Sequence, residues 1–105
     1  MSTSTSYISD QVQRTLRVIR FMAGKEISGI SPTELAKLAN VSASNITRVL
    51  ANLEAQQFVE RLPADNKRYR LGVALVQLSN TVALNLSQAQ LQLQQDQTNY
   101  SRLAL

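Results

Sequence analysis

The sequence contains no cysteine and no histidine. Those absences remove disulfides, thiolate nucleophiles, imidazole bases and nearly every transition-metal site. The redox compartment stays open, although a disulfide-free chain suits the cytoplasm, the location expected here. Apolar runs stop after a few residues, far short of the roughly 20 that cross a bilayer, so no membrane role is expected. The opening residues MSTSTSY lack the basic and apolar regions of a signal peptide, and residues 1–9 read as a disordered lead-in. The seven carboxylates are scattered, and Asp10, Glu34 and Glu54 have structural work in capping or surface pairing. There is no glycine-rich phosphate loop, no metal-ligand cluster and no nucleophile beside a base. The chain is therefore expected not to be an enzyme and to need neither cofactor nor metal.

What is present is enough for one domain with a modest core: 105 residues, 44% of them apolar. The net charge of +4 is mild evidence for a polyanionic partner, so its placement matters more than its size. Every lysine and arginine except Arg102 precedes Gly72, and the remaining third is nearly neutral and rich in Leu and Gln.

A first helix is predicted over Asp10–Ala23, with Val12, Leu16, Ile19 and Met22 or Ala23 at inward spacing and Gly24 as its stop. Arg14, Arg17 and Arg20 on that helix read as a solvated face. Ile30 is a candidate for a minimal strand. The stretch SPTELAKLANVSASNITRVLANLEAQQFVERLPADNKRYRLG, residues 31–72, then carries the densest signals in the chain. Ser31 caps a second helix, Pro32 occupies its first position and Glu34 closes a capping box, with Leu35 and Leu38 facing inward. Asn40 suits the left-handed position of a tight turn that Val41 plugs. Ser42 caps a third helix reaching Ala55 or Gln57, with Ile46, Val49, Leu50 and Leu53 as its buried stripe. Two strands follow near Phe58–Leu62 and Lys67–Leu71, joined by the turn formers Pro63-Ala64-Asp65-Asn66. Tyr69 and Leu71 point one way, Arg68 and Arg70 the other.

That order of parts is a winged helix-turn-helix, which sets one helix in a DNA groove and a basic ribbon beside it. The predicted class is mostly α with a small β-wing over residues 10–72, followed by a long C-terminal helix within 73–105. On the third helix, Ala43, Ser44, Asn45, Thr47 and Arg48 are left outside the buried stripe or at its N-terminal end. Small polar residues there allow close approach to DNA, Asn45 can bridge adenine N6 and N7, and Arg48 can reach a phosphate or guanine. Lys67, Arg68 and Arg70 at the wing are expected to flank a phosphate backbone or enter a minor groove.

After Gly72, Leu75, Leu78, Val82, Leu86, Ala89 and Leu93 repeat at spacings of three and four. Eleven-residue echoes argue for a nearly straight helix or slight right-handed supercoil. A helix from Val73 to about Gln95 is roughly 34 Å long. So small a core cannot cover that length, and the stripe is expected to pack against another chain, with the seven Gln residues from Gln77 to Gln97 outside.

The run ELAKLANVSASNITRVLANLEAQQFVER, continued by KRYRLGVALVQL, resembles the N-terminal winged-helix domain of IclR-type transcriptional regulators over residues 10–80. VQRTLRVIRFM in the first helix follows the same pattern, with Arg14 at its commonly kept basic position. The resemblance implies a double-stranded DNA partner. It implies that the helix opening at Ser42 reads the major groove through Ala43, Ser44, Asn45, Thr47 and Arg48, with Ser31 and Thr33 near phosphate. It also implies dimerisation through the first helix and the helix after the wing. Such regulators carry a C-terminal effector domain that this sequence lacks, so no small-molecule effector is expected. A sequence-specific regulator acting as a homodimer or tetramer is the leading expectation. The alternative is a winged-helix protein-interaction module docking a partner through its long apolar helix.

Overall fold

Serine caps open the first three helices in the computed structural model, which describes residues 5–104. Ser9, in extended backbone, accepts from the Val12 amide at 3.3 Å and starts α1 (Asp10–Met22). Ser31 accepts from the Glu34 amide at 3.2 Å ahead of α2 (Pro32–Ala39), which has proline in its first turn. Ser42 accepts from the Asn45 amide at 3.3 Å and starts α3 (Ala43–Ala55). Each cap satisfies an amide that has no partner in the first helical turn.

Between α2 and α3 the chain reverses on Asn40, whose φ of 55° lies in the left-handed region. Its amide donates to the Ala36 and Lys37 carbonyls, closing the end of α2. Gly24, with φ of 88°, takes the corresponding place after α1. Strands β1 (Val59–Arg61) and β2 (Tyr69–Leu71) pair antiparallel, with Val59 opposite Leu71, Glu60 opposite Arg70 and Arg61 opposite Tyr69. Ile30 adds an isolated bridge to Tyr69, with both amides bonding the opposite carbonyl at 2.9 Å.

The core is built from α1, α2, α3, Ile30 and β1. Val18, Met22, Leu35, Ala39, Ile46, Val49, Leu50, Leu53 and Val59 are buried, and Phe58, Tyr69 and Leu71 pack against them from the wing. Among the described residues no polar or charged side chain is buried, so the buried contacts between the helices are apolar. Arg17, on the face read as solvated, is exposed and also donates from Nε to the Ala39 carbonyl at 3.1 Å, tying α1 to the end of α2.

Two inward assignments change. On α1 the buried residues are Val18 and Met22, with Ile19 partly covered, while Val12 and Leu16 stay 53% and 50% exposed. At about 100° per residue Val12 and Leu16 lie well round the helix from Val18 and Met22, so the apolar arc is wider than the core it meets. On α2 the inner pair is Leu35 and Ala39, and Leu38 is 50% exposed.

Of the expected lead-in, residues 1–4 lie outside the described residues; Thr5–Tyr7 form one 3-10 turn ahead of the Ser9 cap. The final helix, α4 (Val73–Tyr100), runs past the expected end near Gln95 and is about 42 Å long. It contains no glycine or proline, its Gln residues are good helix formers, and Gln92 donates to Asp96 one turn later at 3.1 Å. The chain divides into two units, Met1–Leu75 and Val76–Leu105. In the second, every described residue is exposed. Among the described residues no helix is long and apolar enough to cross a membrane.

Gly72 joins β2 to α4 in a place with no room for a side chain. Its amide donates to the Phe58 carbonyl at 2.7 Å, and an added Cβ would overlap the Gln57 carbonyl oxygen. Because the obstruction is backbone rather than a movable side chain, Gly72→Ala is expected to lower unfolding stability by about 1–3 kcal/mol in a urea titration. An unchanged midpoint would show that the junction shifts freely.

Candidate nucleic-acid interface

The inner stripe of α3 (Ile46, Val49, Leu50 and Leu53) is buried to the last member, which leaves a single face of that helix for solvent. Ala43, Ser44, Thr47 and Arg48 are exposed there, with Ser42 at the cap. Among the described residues the Arg48 side chain has no intramolecular partner; its carbonyl accepts from Asn52 at 2.8 Å. The Thr47 hydroxyl donates to the Ala43 carbonyl at 3.1 Å. Asn45 is half-buried at the margin of this face rather than at its centre. The structure therefore brings Ser42, Ala43, Ser44, Thr47 and Arg48 onto one surface, with Asn45 at its edge.

The exposed Thr33 and Lys37 of α2 stand one helical turn apart. They line an open groove of about 460 Å³ together with Asn40, Ala43 and Thr47. Ser31 faces less freely, because its hydroxyl is taken up between the Glu34 amide and the Glu34 carboxylate. Lys37 was not among the residues expected at the site. Its place four residues after Thr33 on a capped helix is the signal that identifies it.

The wing differs most from expectation. Arg68 does not project from the hairpin tip: Nε donates to the Ser28 carbonyl at 2.8 Å, Nη2 to the Gly29 carbonyl at 3.1 Å and Nη1 to Glu34 at 3.1 Å. Arg70 forks onto Glu60 at 3.0 and 2.8 Å, and Nη1 reaches the Glu26 carbonyl at 3.4 Å. Both guanidinium groups, expected to reach DNA, bond their own fold and are partly exposed. Alternation along a strand says which side a residue takes, not whether a carboxylate waits there. Arg61, facing Glu54 at 3.2 Å and lying 5.2 Å over the Tyr69 ring, is held similarly. Lys67 is left exposed at the tip, its backbone amide fixed to Asp65 at 3.0 Å.

The glutamates are equally occupied: Glu34, Glu54 and Glu60 pair with arginines, and Glu26 accepts from the Gly24 amide at 3.0 Å. Among the described residues no cluster of carboxylates can hold a metal ion.

Residues 25–69 match the MarR family, the segment from the loop before α2 into β2. An IclR transcriptional regulator from Alicyclobacillus acidocaldarius is 30% identical, with a TM-score of 0.64 over 73% of this chain and 30% of that one. The first unit is thus similar to the winged helix of IclR-type transcriptional regulators. An IclR family regulator from Brucella abortus shares the fold at 16% identity, with a TM-score of 0.65 over 82% of this chain and 32% of its own. The chain thus spans less than a third of either regulator's length. Both of these likenesses are to transcriptional regulators. No curated protein matches the chain.

Within this winged helix Glu34 is a titratable latch. The Ser31 hydroxyl, and then the Arg68 guanidinium, hold its carboxyl below the ordinary value of 4.5. A carboxylate whose folded pKa is depressed stabilises the fold fully above its unfolded value, and that contribution is lost as pH falls through the folded value. The melting temperature is expected to fall as pH drops below 4.5. Glu34→Gln should remove part of that dependence, and identical pH profiles would show that the latch contributes nothing.

Proposed function

We propose that the chain is a sequence-specific double-stranded DNA-binding regulator acting as a homo-oligomer in the cytoplasm. The observation that carries this reading is the exposed face of α3, held outward by a fully buried stripe and furnished with small residues and Arg48. In this reading α3 enters the major groove with Ala43, Ser44 and Thr47 against the bases, and Asn45 touches from the margin. Arg48 bonds guanine or a phosphate. Ser31, Ser42, Thr33 and Lys37 sit near the backbone, and Lys67 meets a flanking phosphate. Arg68 and Arg70 serve the interface by shaping the wing.

Self-association draws on two exposed apolar surfaces. Val12 and Leu16 on α1, and Ile8 just ahead of its Ser9 cap, recur every four residues and are 53%, 50% and 44% exposed. On α4, Leu78, Val82, Leu86 and Leu93 are exposed along the expected stripe, with Leu75 at its start and Ala89 within it. A dimer built this way would set two recognition helices about 34 Å apart, one DNA turn, or at a multiple of that spacing.

Selection from a random-sequence duplex pool at two salt concentrations tests the reading. An enriched two-fold motif is expected, and Arg48→Ala should weaken binding to it. If Arg48 touches a phosphate, the salt slope also flattens by about 0.9; if it reads guanine, discrimination at one position relaxes. Absence of duplex affinity at low salt would sink the proposal and favour a protein-interaction module. A separate outcome concerns assembly: Val82→Asp places a charge in the α4 stripe and should leave a folded monomer in analytical ultracentrifugation. Retention of the wild-type mass would remove α4 from the assembly.

A further inference from the structure

Arg68 links three parts of the fold that are remote in sequence. It follows the wing turn, and its guanidinium reaches back to the Ser28 and Gly29 carbonyls and to the Glu34 carboxylate in the first turn of α2. Glu34 is itself held by the Ser31 hydroxyl at 3.1 Å, so cap, carboxylate and guanidinium form one chain of bonds. The backbone beneath is shaped to receive it. Gly29 has a φ of 67°, and a Cβ there would come within 3.1 Å of the Arg68 Cβ and 2.6 Å of the Leu62 Cδ1. The Ile30–Tyr69 bridge lies immediately beside this clamp. Three acceptors in one fork match the planar five-donor guanidinium, and an ammonium cannot reproduce the arrangement.

The neighbouring residue is Lys67, exposed at the tip. We propose that Arg68 is a positioning residue for DNA binding: its clamp on Ser28, Gly29 and Glu34 fixes the wing against α2 so that Lys67 meets the phosphate backbone. This rests on the DNA-binding reading above. Arg68 itself touches no nucleic acid. Among the described residues of the wing, the cation without an intramolecular partner is one lysine, placed by an arginine bonded to its own fold.

The test is a mutant cycle in the full chain, read as affinity and salt slope on a random-sequence duplex at low salt. Lys67→Ala should weaken binding several-fold and flatten the slope by about 0.9, the signature of one lost phosphate contact. Arg68→Lys keeps the charge but breaks the fork. It should weaken binding to a similar degree, and the double variant should bind no more weakly than Lys67→Ala alone. Hydrogen exchange at the Ile30 and Tyr69 amides should accelerate in Arg68→Lys and stay unchanged in Lys67→Ala.

Glu34→Gln supplies a second route should Arg68→Lys fail to fold. Removing a negative charge beside DNA strengthens binding by Coulomb's law alone, whereas loss of the clamp weakens it. Weaker binding by Glu34→Gln, abolished in the Lys67→Ala background, supports the proposal. Wild-type affinity in Arg68→Lys, tighter binding in Glu34→Gln, or additive losses in the double variants would overturn it. A wild-type chain without duplex affinity would instead overturn the DNA reading on which the clamp's role depends.

Discussion

The packing of α3 is the constraint on which the rest of the winged unit depends. Four apolar side chains at Ile46, Val49, Leu50 and Leu53 can be buried together in only one rotational setting of the helix. Each is worth about 1.5–3 kcal/mol of transfer free energy, so turning the helix by one residue would be prohibitive. The setting that buries them dictates that Ala43, Thr47 and Arg48 face solvent. Asn40 contributes at the other end of the argument. Its left-handed backbone reverses the chain within a few residues, so α2 crosses α3 close enough for Leu35 and Ala39 to join the same core.

Charge is distributed by a different logic. The guanidinium groups of Arg17, Arg61, Arg68 and Arg70 all bond within the first unit, to carbonyl oxygens, glutamates or both. A wing with two short strands buries too little apolar surface to hold its own angle. Two charge-assisted bonds from Arg70 to one Glu60 oxygen across the strand pair, and the Arg68 fork onto the segment before α2, supply what packing does not. The count of basic residues therefore overstates the positive charge offered to a partner. Among the described residues Arg48, Lys37 and Lys67 are the exposed cations around α2, α3 and the wing tip whose charged groups have no intramolecular partner. Small size and absence of cysteine make this use of arginine intelligible, because no disulfide is available to staple the loop to the wing.

Local chemistry explains how much of this was legible in the sequence. Ser31, Ser42, Pro32, Asn40 and Gly24 act through their own backbone neighbourhood, and each sits where its residue type directs. The α3 stripe was equally plain, since its apolar positions leave no competing arc. On α1, however, Val12 and Leu16 occupy one end and Val18 and Met22 the other of a single apolar arc of about 160°, and periodicity cannot say which part the core covers. Leu38 and Ala39 presented the same choice, and the smaller side chain is the buried one. The arginine partners were not legible at all. Arg68 lies 34 residues from Glu34 and 40 from Ser28, and such pairings exist only once the chain has folded.

The long helix poses the last physical problem. An isolated helix is marginal in water unless one face is covered, and α4 exposes its apolar residues from Val76 onward. Leu78, Val82, Leu86, Ala89 and Leu93 fall within an arc of about 80° at 100° per residue. Leu84 and Leu91 lie about 180° from Val82, and they are 59% and 55% exposed. One twin helix covers a single arc and leaves the opposite leucines wet. Only Asp96 carries charge between Val73 and Tyr100, so copies of α4 approach one another almost without Coulomb repulsion. Within the oligomeric reading, two opposed arcs on a nearly uncharged helix therefore fit a bundle of more than two copies better than a simple pair.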